Sequence, residues 1–174
     1  MLREATDDDV TSIRHWRNLD KVRKSSIYTA YIPEDHHLKW WASVQSDPSK
    51  RVLIYCLDGA PCGVVTFNDI GTDAETGERT ASWGFFLDTE TVEASPHALR
   101  AWVEIEREAI DYAFDVLGVQ VLNGVTLAWN TAVRQLHRRF GLTEPGSYIE
   151  EIDGVPTEVV HNQLRVENRR PARR

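Results

Sequence analysis

The sequence predicts an α+β protein, an α/β sandwich in which helices flank a mixed, mostly antiparallel sheet. Two observations lead to this prediction: strand-like runs follow one another in the middle of the chain, and helical segments precede and follow them. The 174 residues suit a single domain. A content of 41% hydrophobic and 27% charged residues is typical of a globular chain with a packed core.

The N-terminal part reads as a short strand and two helices. Leu2 to Ala5 has strand character, and Thr6 followed by three aspartates is typical of a helix start, because carboxylates stabilise the positive end of the helix dipole. Pro33 opens the second helix. The apolar stripe predicted for that helix consists of Leu38, Trp41 and Val44.

Three runs rich in β-branched and aromatic residues follow, Arg51 to Leu57, Cys62 to Ile70 and Thr80 to Leu87. Asp58-Gly59 between the first two is a strong hairpin signal, and Gly71 to Gly77 is a polar loop. The sequence therefore predicts an antiparallel meander of three strands.

The second half of the chain combines two helices with three strands. A long helix is predicted from Ser95-Pro96 to Gly118, with the serine as its cap and the proline at its first position. Val119 to Leu127 reads as a fifth strand, in which Asn123-Gly124 would allow a bulge. The remaining elements are a helix from Asn130 to Phe140 closed by Gly141, and a hairpin of Ser147 to Ile152 and Glu158 to Val166 around Asp153-Gly154.

Composition and charge exclude several classes of function. Twenty Lys and Arg against 27 Asp and Glu give a net charge of −7, which argues against binding nucleic acid through overall charge. No apolar run reaches the roughly 20 residues of a membrane span, and no apolar leader is present, so we expect a cytoplasmic protein without membrane association. Cys56 and Cys62 read as small buried residues. His36-His37 cannot face one ion, so no metal is expected.

We place one domain at residues 1–166, without an internal linker. Five arginines stand among residues 165–174. A run of like charge at a chain end is typical of a solvated segment, so residues 167–174 are predicted to form a disordered basic tail.

Three segments point to a family. They are Trp16-Arg17-Asn18 with Val22-Arg23-Lys24, Glu34 to Trp40, and Asn130 to Leu142 followed by Glu144. The segments are similar to the amino-sugar N-acetyltransferases of the pseudaminic-acid pathway, and the last is also similar, more thinly, to ribosomal-protein N-acetyltransferases. The order of elements from Leu2 to about Val166 resembles the GNAT acyltransferase fold.

The resemblance implies direct acyl transfer from acetyl-CoA or another acyl-CoA to the primary amine of a small molecule, such as a nucleotide-linked amino sugar. Strand Trp83 to Leu87 would part from the fifth strand, and the backbone groups of Phe85, Phe86 and Leu87 would hold the donor. The amine attacks the carbonyl, a backbone N–H stabilises the oxyanion, and an acid protonates the leaving group.

The resemblance also assigns roles to single side chains on the donor side. His137 lies where many GNAT enzymes have a tyrosine that protonates the leaving thiolate, and histidine can do this because it titrates near neutral pH. Packing beside Phe140 is the alternative. Asn130 matches an asparagine that contacts the donor arm, and it can also cap its helix. The further donor-side candidates are Ser95 and Arg134.

On the acceptor side the candidates are His37 and Asp69. In this fold His37 would lie over the acceptor pocket, and Asp69 at a strand end could orient or deprotonate an ammonium group. A surface position for His37 and a turn role for Asp69 are the alternatives. The aromatic candidates for the pocket lining are Tyr31, Trp40 and Trp83, with plain core packing as the alternative.

One segment departs from the family pattern. GNAT enzymes usually have a glycine-containing loop whose backbone N–H groups hold the CoA pyrophosphate, whereas residues 91–99 contain no glycine. Pro96 removes one N–H donor, and Glu93 adds negative charge.

Three explanations of this departure stay open. CoA binds through a distorted loop with help from Arg100 or Arg134, or the donor is an aminoacyl-tRNA, or the chain is a binding protein that lost the chemistry. The phosphates of a tRNA would meet Arg134, Arg138, Arg139 and the arginine tail. An enzyme would have an open cleft beside the fifth strand, and a binding protein an occluded one. The sequence also leaves the oligomeric state undecided, and a homodimer is one option.

Overall fold

The computed structural model describes residues 1–170, and in that range the chain forms seven strands and six α-helices. The strands are β1 (Leu2–Glu4), β2 (Arg51–Leu57), β3 (Ala60–Thr72), β4 (Arg79–Leu87), β5 (Val121–Leu127), β6 (Thr143–Ile152) and β7 (Val155–Arg165). The helices are α1 (Val10–Asn18), α2 (Asp20–Lys24), α3 (Glu34–Ser46), α4 (Thr89–Glu93), α5 (Ala98–Asp111) and α6 (Thr131–Phe140).

All these strands form one mixed sheet with the order β1-β2-β3-β4-β5-β7-β6. β4 and β5 are parallel neighbours, and the other neighbouring pairs are antiparallel. This arrangement confirms the predicted α+β class and the predicted meander of β2, β3 and β4. The parallel pair needs a long crossover, which α4 and α5 provide.

Helices cover both faces of the sheet, which confirms the predicted sandwich. On one face α5 packs against the central strands through Ala101 and Ile105, and on the other α1 and α3 pack through Ile13 and Trp41. Residues 52–56 of β2 are consequently all buried, as expected for a strand covered on both faces. No helix within residues 1–170 is long and apolar enough to cross a membrane.

The two predicted hairpin turns are confirmed. Asp58-Gly59 joins β2 to β3 and Asp153-Gly154 joins β6 to β7, and the four residues have φ between 49° and 88°. A two-residue turn of this hand needs positive φ at both positions, which aspartate and glycine tolerate better than most residues. These turns therefore fix the strand registers at both hairpins.

The long helix begins later than the sequence suggests. His97 precedes the first residue of α5, and Ser95 Oγ accepts a hydrogen bond from His97 N (3.1 Å) outside the helix. The short helix α4 occupies the start of the glycine-free segment, residues 91–99, which was predicted to be a loop. The short helix α2 was not predicted. β5 pairs with β7 without a register shift, so Asn123-Gly124 makes no bulge.

Of the stripe predicted for helix α3, Trp41 is buried in the core and Val44 packs against it, but Leu38 does not take part. Leu38 is 52% exposed, whereas His37 and Trp41 are buried. His37 turns inward because its Nε2 bonds the Val10 carbonyl (2.9 Å) and its ring lies 4.9 Å from that of Trp40. His37 thus adds a polar contact with α1 to the buried face of α3.

The chain beyond the predicted domain end at residue 166 contacts the body of the fold. Val166–Asn168 forms a 3₁₀ turn, and the Arg169 guanidinium pairs with Asp111 and Asp115. Residues 167–170 are held by these contacts, which the prediction of a disordered tail did not foresee. The rest of that tail, residues 171–174, lies outside the described range.

Candidate active site

β4 and β5 begin as neighbours and then separate. They pair only from Thr80–Ser82 to Val121–Asn123, so the predicted parting of β4 from the fifth strand is confirmed. Gly124 lies at the fork, the point where β4 and β5 separate. A Cβ at this position would lie 2.9 Å from Trp83 Nε1, so a larger residue would displace the indole. The absence of a side chain at Gly124 lets Trp83 close the narrow end of the cleft.

Unpaired backbone groups line both edges of this cleft. Asp88 N donates to Cys62 O (2.8 Å), and bonding direction alternates along an antiparallel ladder, so Phe85 and Leu87 direct their N–H and C=O groups away from β3 and into the cleft. The backbone of Phe86 instead bonds β3. Of the three residues predicted to hold the donor through their backbone groups, only Phe85 and Leu87 direct these groups into the cleft. By the same alternation, Val125 presents its backbone groups from β5.

Two cavities open from the cleft. The larger, of about 890 Å³, lies among α2, α4, α5, β5 and α6, and the smaller, of about 580 Å³, lies beneath α1, α3 and the loop of residues 25–33. They share one wall, which is formed by Ser25, Ser26, Trp83, Gly84, Phe85, Phe86, Val125 and Thr126. Two molecules bound on the two sides would therefore meet at the cleft.

A buried histidine–glutamate pair forms part of the larger cavity wall. His137 Nδ1 on α6 lies 2.9 Å from Glu106 Oε1 on α5, and the two residues are 6% and 0% exposed. The His137 ring packs near Trp83 and Phe85, with centroid distances of 5.6 and 6.2 Å. Because Glu106 occupies Nδ1, Nε2 is the ring nitrogen that remains for a molecule in the cavity.

Burial raises the pKa of the Glu106 carboxyl, and the hydrogen bond from His137 opposes this effect only in part. Glu106 Oε2 has no hydrogen-bond partner among the described residues. An ionised carboxylate in such a place is costly, so the pair holds a proton more readily than an exposed carboxylate would.

We expect Glu106→Gln to change how thermal stability depends on pH. A raised carboxyl pKa in the folded state means that wild-type stability is lost as pH rises through that pKa, and glutamine lacks this titration. We would measure both melting temperatures by differential scanning fluorimetry from pH 5 to pH 8. The melting temperature of the variant should rise relative to that of the wild type as the pH increases. Glu90→Gln, at an exposed site on α4, is the control; a pH-independent difference for Glu106→Gln would contradict the argument.

Several predicted site residues come together at the cleft. His137 and Asn130 line the larger cavity, and Trp83, Phe85 and Phe86 line both. Asn130 also caps α6, because its Oδ1 accepts a hydrogen bond from Val133 N (3.4 Å).

On the smaller cavity, the predicted His37 and Trp40 are part of the lining. Burial is the main cause of a lowered pKa for His37, so its ring is neutral near neutral pH, with Nε2 donating to Val10 O. The Leu87 side chain is fully buried beneath the cleft.

Besides Leu87, four predicted residues lie outside both linings. Asp69 sits at the irregular part of β3, opposite the paired end of β4 and away from the open cleft, with a φ of 53°. Tyr31 is exposed, and its hydroxyl accepts a hydrogen bond from Arg14 (3.2 Å). Ser95 bonds the backbone of His97, as described above. Arg134 clamps Glu144 through two bonds of 2.9 Å and donates to Ala128 O.

In the segment after β4, the first turn of α4 is capped by the chain itself. Asp88 Oδ1 accepts a hydrogen bond from Thr91 N (3.2 Å), so the chain's own carboxylate caps α4. Glu93 pairs with Lys21 of α2 across the cavity entrance. Arg100 is held by Asp58 and Glu104, away from the cavity. Lys24, which pairs with Asp20 (3.7 Å) at an exposed site on α2, and Arg139 also lie on the cavity rim.

The sequence prediction missed three features of the site. Glu106 could have been found, because it falls on the apolar stripe of α5 between Trp102 and Ala109. Thr126 receives a hydrogen bond from buried Asn162 Nδ2 (2.8 Å), which leaves its hydroxyl hydrogen free to donate into the cleft. Arg17 lines the smaller cavity. Within residues 1–170, no group of three or more His, Cys, Asp or Glu side chains is placed to hold a metal ion.

Comparisons with known proteins agree with this geometry. The sequence model of the acetyltransferase (GNAT) domain matches residues 1–143. Spermidine N-acetyltransferase from Vibrio cholerae, solved in complex with CoA and spermine, is similar with a TM-score of 0.81 and 17% identity, over 97% of this chain and 96% of that one. No curated protein matches the chain in sequence.

Two further structures share the fold. PseH, an N-acetyltransferase from Campylobacter jejuni, has a TM-score of 0.65 and 19% identity, over 95% of this chain and 97% of that one. The ribosomal-protein-alanine N-acetyltransferase from Brucella melitensis has a TM-score of 0.75 and 16% identity, over 95% and 99%.

Proposed function

This chain belongs to the GNAT acetyltransferase family, and on that premise we propose that it transfers an acyl group from an acyl-CoA to the primary amine of a small molecule. The observation that carries the proposal is the open cleft, where unpaired strand edges lie beside the buried pair of His137 and Glu106. A protein that kept the fold and lost the chemistry would have an occluded cleft, so the open one favours an enzyme.

The donor binds in the larger cavity. An extended chain with amide groups can pair with the free backbone groups of Phe85 and Leu87, as an added strand pairs with a sheet edge. The cavity volume suits the arm of CoA, but the end of α4 does not suit its pyrophosphate, since Asp88 already caps it. Lys24 and Arg139 on the rim are the residues that would hold the phosphates.

The chain supplies three chemical contributions to the transfer. The N–H groups of Phe85 and Leu87 point to where an oxyanion would form. The amine nitrogen forms a bond to the acyl carbon as the carbon–sulfur bond breaks, and His137 Nε2 donates a proton to the leaving thiolate. Glu106 holds the ring in position through Nδ1.

The acceptor binds in the smaller cavity, beside His37 and Trp40. Because His37 Nε2 donates to Val10 O, Nδ1 carries the lone pair of the ring and can accept a hydrogen bond or a proton from the amine. A nucleotide-linked amino sugar is one acceptor class that the family resemblance suggests. A homodimer and a location in the cytoplasm stay predictions.

One observation favours a second candidate function, transfer from an aminoacyl-tRNA. A carboxylate, Asp88, caps α4 in the segment where the family resemblance implies a pyrophosphate loop, and a tRNA ester needs no pyrophosphate site. Its phosphates would meet exposed Arg139 and neighbouring cations. Against this, Arg134 and Arg138 are both paired with Glu144.

Calorimetric titration with acetyl-CoA separates the two donors. We expect saturable binding in the micromolar range, followed by amine-dependent release of free thiol. Titration with CoA that lacks the acyl group is the matched control for the nucleotide part. If millimolar acetyl-CoA gave no heat of binding, the acyl-CoA proposal would fail and an aminoacyl-tRNA would become the donor to test.

A further inference from the structure

Arg17 is the one lysine or arginine that lines the smaller cavity, and within residues 1–170 no aspartate or glutamate lines it. The remaining wall is mostly aromatic and aliphatic, with hydroxyl groups from Ser25, Ser26 and Thr126. Among the described residues, the main charge that an acceptor meets in the smaller cavity is therefore the positive charge of Arg17, and no carboxylate of the lining balances it.

The guanidinium of Arg17 is fixed but incompletely bonded. Nη2 donates to Tyr28 O (2.8 Å), whereas Nη1 is buried and has no hydrogen-bond partner among the described residues. Burial, with a smaller effect from Arg23, lowers the pKa of Arg17. A buried charged donor without a partner is costly, and an anion bound there would remove that cost.

The loop over the cavity keeps Arg17 in place. Asn18 exchanges two hydrogen bonds with the backbone of Ile32 (3.0 and 2.7 Å), and Arg23 Nε donates to Thr29 O (2.8 Å). Thr29 Oγ1 in turn donates to Asp153 at the tip of the β6–β7 hairpin (2.7 Å). Because the loop is held at several points, the Arg17 guanidinium has a defined position at the cavity wall.

We propose that the acceptor amine carries a carboxylate that binds the Arg17 guanidinium. This inference rests on the proposed function and names its substrate class, an amino-acid-like amine with an apolar body. A nucleotide diphosphate carries more negative charge than one guanidinium can balance. A polyamine would need carboxylates that the described lining does not provide.

Matched probe pairs test the proposal. We would measure binding by calorimetry and acetyl transfer by thiol release for phenylalanine against 2-phenylethylamine, and for tyrosine against tyramine. Each pair differs only in the carboxylate. Wild type should prefer the carboxylate member by roughly 10-fold to 100-fold, the range for a hydrogen bond to a charged group. Arg17→Gln should remove most of that preference.

Controls separate this inference from the proposed function. Arg14→Gln removes a cation one turn earlier on α1, outside the cavity, and should keep the preference. A sugar nucleotide with a free amine and spermidine complete the probe set. The inference would be overturned if both members of each pair bound equally, or if the carboxylate members did not bind. An unchanged preference in Arg17→Gln, or tighter binding of the sugar nucleotide than of the amino acids, would overturn it as well. If the wild-type protein did not bind acetyl-CoA, the proposed function itself would be overturned.

Discussion

Replacing His137 with asparagine should lower kcat by about 100-fold or more and leave binding of acetyl-CoA nearly unchanged. The asparagine amide can still donate to Glu106 Oε1, because its nitrogen takes the position of Nδ1. The variant therefore keeps the buried hydrogen bond and loses only Nε2, the nitrogen proposed to protonate the leaving thiolate. Single-turnover acetyl transfer and calorimetry measure the two quantities separately.

The control for this variant is His15→Asn, which changes an exposed histidine on α1 and should have wild-type kcat. Glu106→Gln should give an intermediate kcat and a shifted pH–rate profile, since it alters the protonation of the ring without removing it. Unchanged kcat in His137→Asn, with a melting temperature close to the wild type, would show that another group is the acid.

The second large effect is expected from charge reversal at the cavity rim. Lys24→Glu combined with Arg139→Glu should weaken acetyl-CoA binding by roughly 10-fold to 100-fold, because two exposed cations that would meet its phosphates become anions. The affinity of wild type should also fall as salt rises, and the double variant should lose much of this dependence. Calorimetry at two salt concentrations gives both results.

Lys39→Glu with Arg107→Glu makes the same change in net charge outside both cavities and is the matched control. Equal weakening in both double variants would assign the effect to overall charge. Unchanged affinity in Lys24→Glu/Arg139→Glu would mean that the phosphates bind elsewhere.

The elements that the sequence predicted well are those determined by local chemistry. Asp58-Gly59 and Asp153-Gly154 favour tight turns, and Asn130 with Gly141 delimits α6. The elements it missed depend on distant contacts or lack a periodic signal. α2 is only five residues long, too short to show helical periodicity, and the inward position of His37 on α3 involves its bond to a backbone carbonyl on α1.

The candidate site could be predicted only in part for the same reason. His137 was identified through its helix, but its partner Glu106 is 31 residues away and becomes a neighbour only when α5 crosses the sheet. Asp69 reads as a free carboxylate at a strand end, yet the fork opens at the other end of β4. Arg134 looks available for phosphates until β6 brings Glu144 against it.

Because the two cavities share a wall, we expect the binding of a ligand in one to change the affinity of the other for its own ligand. Trp83, Phe85 and Val125 contact whatever occupies either side, so a ligand that orders these side chains lowers the entropic cost for the other. A thermodynamic cycle then requires reciprocity: any factor by which the donor tightens the acceptor is the factor by which the acceptor tightens the donor. The fork between β4 and β5 thus couples two binding equilibria, in whichever order the two substrates arrive.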